Sequence, residues 1–379
     1  MIIKSSKWSL LNYKSRVFFV RLTASFGSWF FPIACAYIYP EVGLALVFLF
    51  VKSSRFISAF GNFGIATIIE SDNITEKIMN SHAILLFFLF VGYVTWSNIY
   101  SINFDIVDTL IVSNGFTGSL LLNYRSKFLK EGRIILASLS EDGVYYLIGT
   151  FFIVFTSFQN VLILVLLVKL SVIIYLRFAG LVTNDLPGNS RIQVSRLLET
   201  YLLQLSALVP ITLELMLLQK FPDYSESFAL GLIGLSGLMF VQQFIISNSI
   251  PDLVNAVKEA SIKAYKGIQG QFKVYYWLAA PVIVLSVLYI YVKTETFAER
   301  FLSIFVLAIG VLNLFLGPLG YMFRYIDRAS IGLYFVLVFN IFYVLSMFAL
   351  YWFNLPIYII IGFGFFAILE KYIKFKIIF

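Results

Sequence analysis

The chain has 379 residues, of which 60% are hydrophobic and 13% charged, with a mean hydropathy of +0.90 and a net charge of +8. A soluble protein of this length cannot solvate so much apolar surface, so the composition excludes an ordinary aqueous enzyme and makes the bilayer the solvent. A single Cys (Cys35) and a single His (His82) exclude a disulfide framework and argue against a His/Cys metal site.

Apolar runs of spanning length occur at 17–39, 42–67, 83–101, 104–123, 143–158, 161–183, 200–219, 227–249, 274–292, 301–323, 331–353 and 355–372. The first has a basic flank, contains Arg21 and lacks a small-residue cleavage site, so it reads as a retained span and not a signal peptide. The fifth is short, with a possible earlier start at Ile134 if Glu141 and Asp142 face inward. Connections are short, leaving no room for a soluble catalytic domain. The stretch Asn184 to Glu199 is the one linker with Pro-Gly turn chemistry followed by a charged amphipathic segment. It divides the spans six plus six, predicting lobes at 1–186 and 187–379. The expected fold class is an all-α integral membrane protein, about twelve helices in two six-helix lobes.

The distribution of Lys and Arg orients this layout. Twenty fall in segments on one side of the membrane and three (Lys220, Lys293 and Arg300) on the other. The positive-inside bias puts both termini in the cytosol. Basic loops facing anionic headgroups also account for the net positive charge without any nucleic acid.

An internal repeat supports two equivalent lobes. NGFTGSLLLNYR (Asn114 to Arg125) returns as NLFLGPLGYMFR (Asn313 to Arg324), matching Asn, Phe, Gly, Leu and Arg at one fixed offset. With an even number of spans per half, both copies enter from the same side. The repeat is therefore parallel, about an axis along the membrane normal.

Five cations remain inside spans: Arg21, Lys52, Arg55, Lys169 and Arg177, all in the first half. A cation in hydrocarbon costs about 2.5 kcal/mol or more, so such residues face a hydrated cavity or a partner. Lys52 and Arg55 lie near the midplane, three residues apart on one helical face that Ser58 and Asn62 continue. Arg21, Ser25 and Ser28 form a second stripe, and two stripes on neighbouring spans make a groove. Two readings stand: a hydrated anion-binding cavity, or internal pairing with Asp105, Asp108, Glu141 or Asp142. Arg21 and Arg177 are close enough to the cytosolic boundary to snorkel.

Acidic residues in spans are few. Glu214 sits near the outer end of the seventh span, where pairing with Lys220 is the plain reading, and Asp108 opens the fourth. Both are candidates for a coupling proton or sodium ion. His82 reads as a lone residue at a loop edge. GNFGI, from Gly61, reads as tight helix packing and not a nucleotide loop. Prolines such as Pro210 and Pro281 are candidate bends.

Twelve spans in two lobes, with FGNFGIA (Phe60 to Ala66), NSIPDLVNAV (Asn248 to Val257) and NLFLGPLGYMF (from Asn313), resemble the multidrug/oligosaccharidyl-lipid/polysaccharide exporter superfamily. The likeness is nearest to its polysaccharide branch, the Wzx-type flippases. It implies an alternating-access flippase, not an enzyme, that carries a polyprenyl-pyrophosphate-linked oligosaccharide across a bacterial inner membrane for O-antigen or capsule synthesis. Membrane lipids, a polysaccharide polymerase and chain-length machinery would be its partners. The resemblance implies a first-lobe cationic cavity, with Lys52 and Arg55 on pyrophosphate, Arg21 guiding it, and Lys169 and Arg177 in support. The alternatives are a cation-coupled exporter of a small solute or drug, and a membrane polysaccharide polymerase, which the short loops disfavour.

Overall fold

A computed structural model describes residues 23, 26–66, 69, 76–99, 106–131, 133–180, 194–258, 262–316, 319 and 329–378. Among them every regular element is a helix. They form two compact units. One comprises the described residues up to Val42 together with Phe50–Tyr201; the other comprises Gly43–Leu49 and the described residues from Leu202 onward. The lobe boundary expected at 186 falls outside the described residues.

The first unit holds α1 (Phe26–Ile38), most of α2 (Leu44–Asn62), α3 (Glu76–Ile99), α4 (Ile106–Lys130), α5 (Ile134–Leu139), α6 (Asp142–Phe152), α7 (Phe158–Gly180) and the start of α8 (Val194–Leu218). The second holds the first turns of α2, the rest of α8, α9 (Pro222–Lys258), α10 (Ile262–Lys293), α11 (Phe297–Phe315), α12 (Ala329–Trp352) and α13 (Pro356–Ile378). Within α2, α3, α7, α11 and α13 lie five stretches long and apolar enough to cross a membrane. The protein is a multi-pass membrane protein.

Its surface agrees. Phe87, Phe88, Trp277 and Trp352 are exposed side chains that only lipid or its interface can solvate. Hydroxyls within the spans close on their own helix: Thr95 donates to the Val91 carbonyl, Ser113 to Thr109, Thr117 to Ser113, and Thr212 to Leu208. This four-residue back-bonding satisfies a polar side chain where no water is available. Pro210 and Pro281 each lie inside a continuous helix, so neither ends one.

Two expected spans are corrected. The fifth is broken: α5 ends at Leu139, a turn at Ser140 and Glu141 intervenes, and α6 begins at Asp142 before a 3-10 turn at Ile153–Phe155. The second stops at Asn62 and not at Thr67, because Phe63 (φ 51°) and Gly64 (φ 75°) both turn into the left-handed region.

Equivalent helix pairs do equivalent work in the two units. In the first, α2 meets α4 at Gly115, where a Cβ would come within 2.5 Å of Ile57. In the second, α9 meets α11 at Gly231 and Gly310, whose added Cβ atoms would press on Val306 and on the Leu235 backbone. Each pair also carries a serine that crosses over. Ser119 Oγ donates to the Ser58 carbonyl at 2.7 Å, and Ser303 Oγ donates to the Ser227 carbonyl at 2.9 Å. The repeated Asn114 and Asn313 lie on these two partner helices, α4 and α11. Small residues let backbones approach, and hydroxyl bridges use that closeness, which is how helices associate without a hydrophobic driving force.

Candidate functional site

Lys52 and Arg55 sit in the middle of α2, one turn apart and both half-buried. Two like charges at helical spacing repel by only about 0.2–0.5 kcal/mol, too little to interrupt a continuous helix. The Arg55 guanidinium donates to Ser28 Oγ at 2.6 Å. That contact joins the two polar stripes seen in the sequence, from α1 and α2. Among the described residues neither cation makes an ion pair. Glu141 is not their counter-ion, since it pairs with Arg125 at 3.4 Å. Asp108 stays exposed in the first turn of α4, where a carboxylate suits the helix dipole. Asp105 and the side chain of Asp142 lie outside the described residues.

The expected stripe does not run the length of α2. Ser58 and Asn62 are fully engaged in packing against α4 and do not line a groove. Asn62 begins a directed chain of hydrogen bonds. Ala66 N donates to Asn62 Oδ1 (3.0 Å) and Asn62 Nδ2 to Asn123 Oδ1 (2.8 Å). Asn123 Nδ2 in turn donates to His82 Nδ1 (2.7 Å), and His82 Nε2 to the Gly61 carbonyl (2.7 Å). His82 is therefore no loop-edge residue. It is a buried junction of α2, α3 and α4.

Lys169 is fully buried on α7. Its ammonium lies 5.7 Å from the Tyr145 ring centroid and 5.4 Å from that of Tyr146, a double cation–π contact. Tyr146 also accepts from Asn114 Nδ2 at 3.0 Å and packs on Phe31. Neither tyrosine is marked out by the sequence; adjacent aromatics facing a basic residue on the next span are the only hint. Arg177, by contrast, is exposed in the last turn of α7, and no hydrogen bond or ring contact joins it to Lys52 or Arg55. Arg21 lies outside the described residues, as does Arg324 of the repeat.

The second unit buries an acid, Glu214, as well as a base, Lys374, which pairs with Glu370. Glu214 on α8 is fully buried, and neither carboxylate oxygen has a hydrogen-bond partner among the described residues. The pairing with Lys220 does not form. Lys220 donates instead to Asn354 Oδ1 at 2.8 Å and lies over the rings of Phe221 and Tyr351. Among the described residues no cluster of His, Cys, Asp or Glu is suited to a metal ion.

This arrangement of helices occurs in solved transporters. A multidrug resistance MATE family transporter of the MOP superfamily, in an outward-facing conformation, matches with a TM-score of 0.62. The identity is 14%, over 96% of this chain and 94% of that one. A MOP superfamily transporter from Pyrococcus furiosus, for which a binding pocket of reverse polarity suggests a different function, matches with a TM-score of 0.61. There the identity is 13%, over 95% and 94% of the two chains. A MATE protein in complex with Br-NRF matches at 0.57 and 14% identity, over 96% and 95%. The chain has the fold of these transporters. At such identity the fold is what is shared, and the Wzx-type likeness is a separate matter. No protein-family model and no curated protein sequence matches the chain.

Proposed function

We propose that this protein is an alternating-access transporter of an anionic, lipid-linked substrate. The reading is a flippase for a polyprenyl-pyrophosphate-linked oligosaccharide, with Lys52 and Arg55 receiving the pyrophosphate. The observation that carries it is the Arg55–Ser28 contact: a half-buried guanidinium with a hydroxyl for a partner and donors to spare. Among the described residues no carboxylate pairs with it, which leaves the guanidinium its charge for an anionic ligand. The planar guanidinium offers a bidentate fork to phosphate oxygens, and the neighbouring ammonium adds a point charge. Lys169, fully buried on two ring faces, contributes potential and not contact. Arg21 remains the candidate guide on the cytosolic side. Arg177 is not assigned to this site.

The chemistry needed is binding and release, so the reading is transport and not catalysis. The MATE fold supports it, and the reverse pocket polarity that suggests a different function for the Pyrococcus furiosus protein is a precedent for a change of function within that fold. A bacterial plasma membrane, cytosolic termini and pathway partners such as a polymerase and chain-length machinery follow from this reading. Proteoliposomes loaded with a fluorescent polyprenyl-pyrophosphate disaccharide test it. Wild-type protein should move the lipid between leaflets, and alanine at both Lys52 and Arg55 should abolish movement. Unchanged movement in that double variant sinks the proposal.

A second reading has one observation in its favour. Glu214, buried without a described partner, suits a coupling proton or sodium ion in a drug exporter. Efflux of a fluorescent cationic drug, lost in Glu214→Gln and kept in the Lys52/Arg55 double variant, would select it.

A further inference from the structure

The outward face of the first unit carries a groove of about 360 Å³ lined by Asn80, Ala83, Ile84, Phe87, Phe88 and Arg177. Five of these six come from α3 and recur at helical spacing, so they share one side of it. The opposite side of α3 bears His82 and Leu86, both 2% exposed and packed toward α2 and α4. The groove therefore faces away from the core. Its walls are open to the surroundings, with Ile84, Phe87 and Phe88 all more than half exposed.

One end of the groove is chemically different. Asn80 lies near the start of α3 and Arg177 in the last turn of α7. On the orientation implied by the positive-inside bias, both positions are at the cytosolic boundary. Arg177 is exposed there, and no carboxylate among the described residues pairs with it.

We propose that this groove binds an anionic phospholipid of the cytosolic leaflet. The argument is charge complementarity joined to polarity. A guanidinium and an amide at headgroup depth offer donors to phosphate oxygens, and the wall of Ile84, Phe87 and Phe88 runs from them into the bilayer, where an acyl chain lies. A free anion would use the first and leave the second in contact with nothing it matches. A helix of another protein would use the apolar wall and leave Arg177 without a counter-charge. An amphiphile with a net negative head satisfies both at once. The site is independent of the transport reading, since it uses neither Lys52 nor Arg55.

Native mass spectrometry of the full chain, released from detergent micelles doped with equal phosphatidylglycerol and phosphatidylcholine, tests this. Wild-type protein should retain phosphatidylglycerol in preference, and Arg177→Ala should reduce that preference roughly tenfold, the loss of one charge-assisted contact. Arg177→Lys should restore part of it. Ala83→Trp, which fills the groove and leaves the guanidinium in place, should also abolish retention. Equal retention of the two lipids by wild type overturns the proposal. So does a preference that survives both Arg177→Ala and Ala83→Trp, or one that millimolar inorganic phosphate displaces. Disulfide-linked dimers formed through Phe88→Cys in phosphatidylglycerol bilayers would assign the groove to a second copy instead.

Discussion

His82 and Asn123 face each other in one polarity only. A backbone N–H opens the chain of hydrogen bonds at Ala66 and a carbonyl closes it at Gly61, so every donor between them points the same way. His82 thus carries its proton on Nε2 and offers the Nδ1 lone pair to the Asn123 amide. His82→Phe orphans both the Asn123 amide and the Gly61 carbonyl, at about 1–3 kcal/mol for each group. Thermal unfolding in detergent should show a lower midpoint for His82→Phe and for Asn123→Leu. The double variant should fall short of the sum of the two. Strict additivity would show that the residues do not form a network.

Gly115 and Gly92 make a matched pair of probes. A Cβ at Gly115 would meet Ile57 Cγ2 at 2.5 Å and the Ser54 carbonyl at 3.1 Å, whereas one at Gly92 meets nothing within 4 Å. Gly115→Ala should destabilise the first unit by about 1–3 kcal/mol through overpacking. Gly92→Ala should be neutral, or stabilise α3 by up to about 1 kcal/mol from helix propensity. Equal unfolding midpoints for the two variants would contradict the close approach of α2 and α4.

Glu226 caps a helix that begins 182 residues earlier in the chain. Its two carboxylate oxygens accept from the Leu44 and Ala45 amides, each at 3.1 Å, and Gly43 (φ +73°) makes the turn that aims those amides. Glu226→Gln replaces one acceptor with a donor and should cost about 1 kcal/mol, as loss of an N-cap does. Hydrogen exchange at Leu44 and Ala45 should accelerate while the centre of α2 keeps its protection. Unaltered exchange at these two amides would mean the carboxylate is not their cap.

Arg55→Lys preserves charge and removes the planar fork. On the transport reading, flipping of the lipid-linked disaccharide should fall roughly tenfold in Arg55→Lys, the worth of one charge-assisted bond. Lys52→Arg should be tolerated better, since it keeps the charge and adds a planar fork that can also engage phosphate oxygens. Initial rates in proteoliposomes decide it, and equal rates for the two conservative variants would leave the fork without a role.

The helices were legible because hydrocarbon thickness and the absence of backbone partners in lipid leave few options. Lys52 and Arg55 were legible for the same reason, as charges at a depth where charge is costly. The turn at Ser140 and Glu141 was not, since an apolar run on either side hides a break whose contact, Glu141 with Arg125, ties the turn to α4, a helix earlier in the chain. Ser58 and Asn62 misled for a related reason. Helical periodicity reports which residues share a face but not what lies across from it, and across from this face is Ser119, some sixty residues on. In the sequence His82 stands at the edge of an apolar run and reads as a loop residue, whereas α3 begins at Glu76 and carries it inside.

The Arg55–Ser28 contact has an electrostatic consequence that reaches beyond the two residues. Seen from a distance, a cation held by a carboxylate is a dipole, whose potential decays with the square of separation. A cation held by a hydroxyl remains a monopole, whose potential decays only in proportion to separation. Mobile ions, which damp such fields within about 10 Å in ordinary saline, are excluded from hydrocarbon. On the transport reading, Arg55 contributes a positive potential that falls off slowly through low-dielectric surroundings and that small shifts of its side chain scarcely alter. An approaching anion would sense it well before touching either residue.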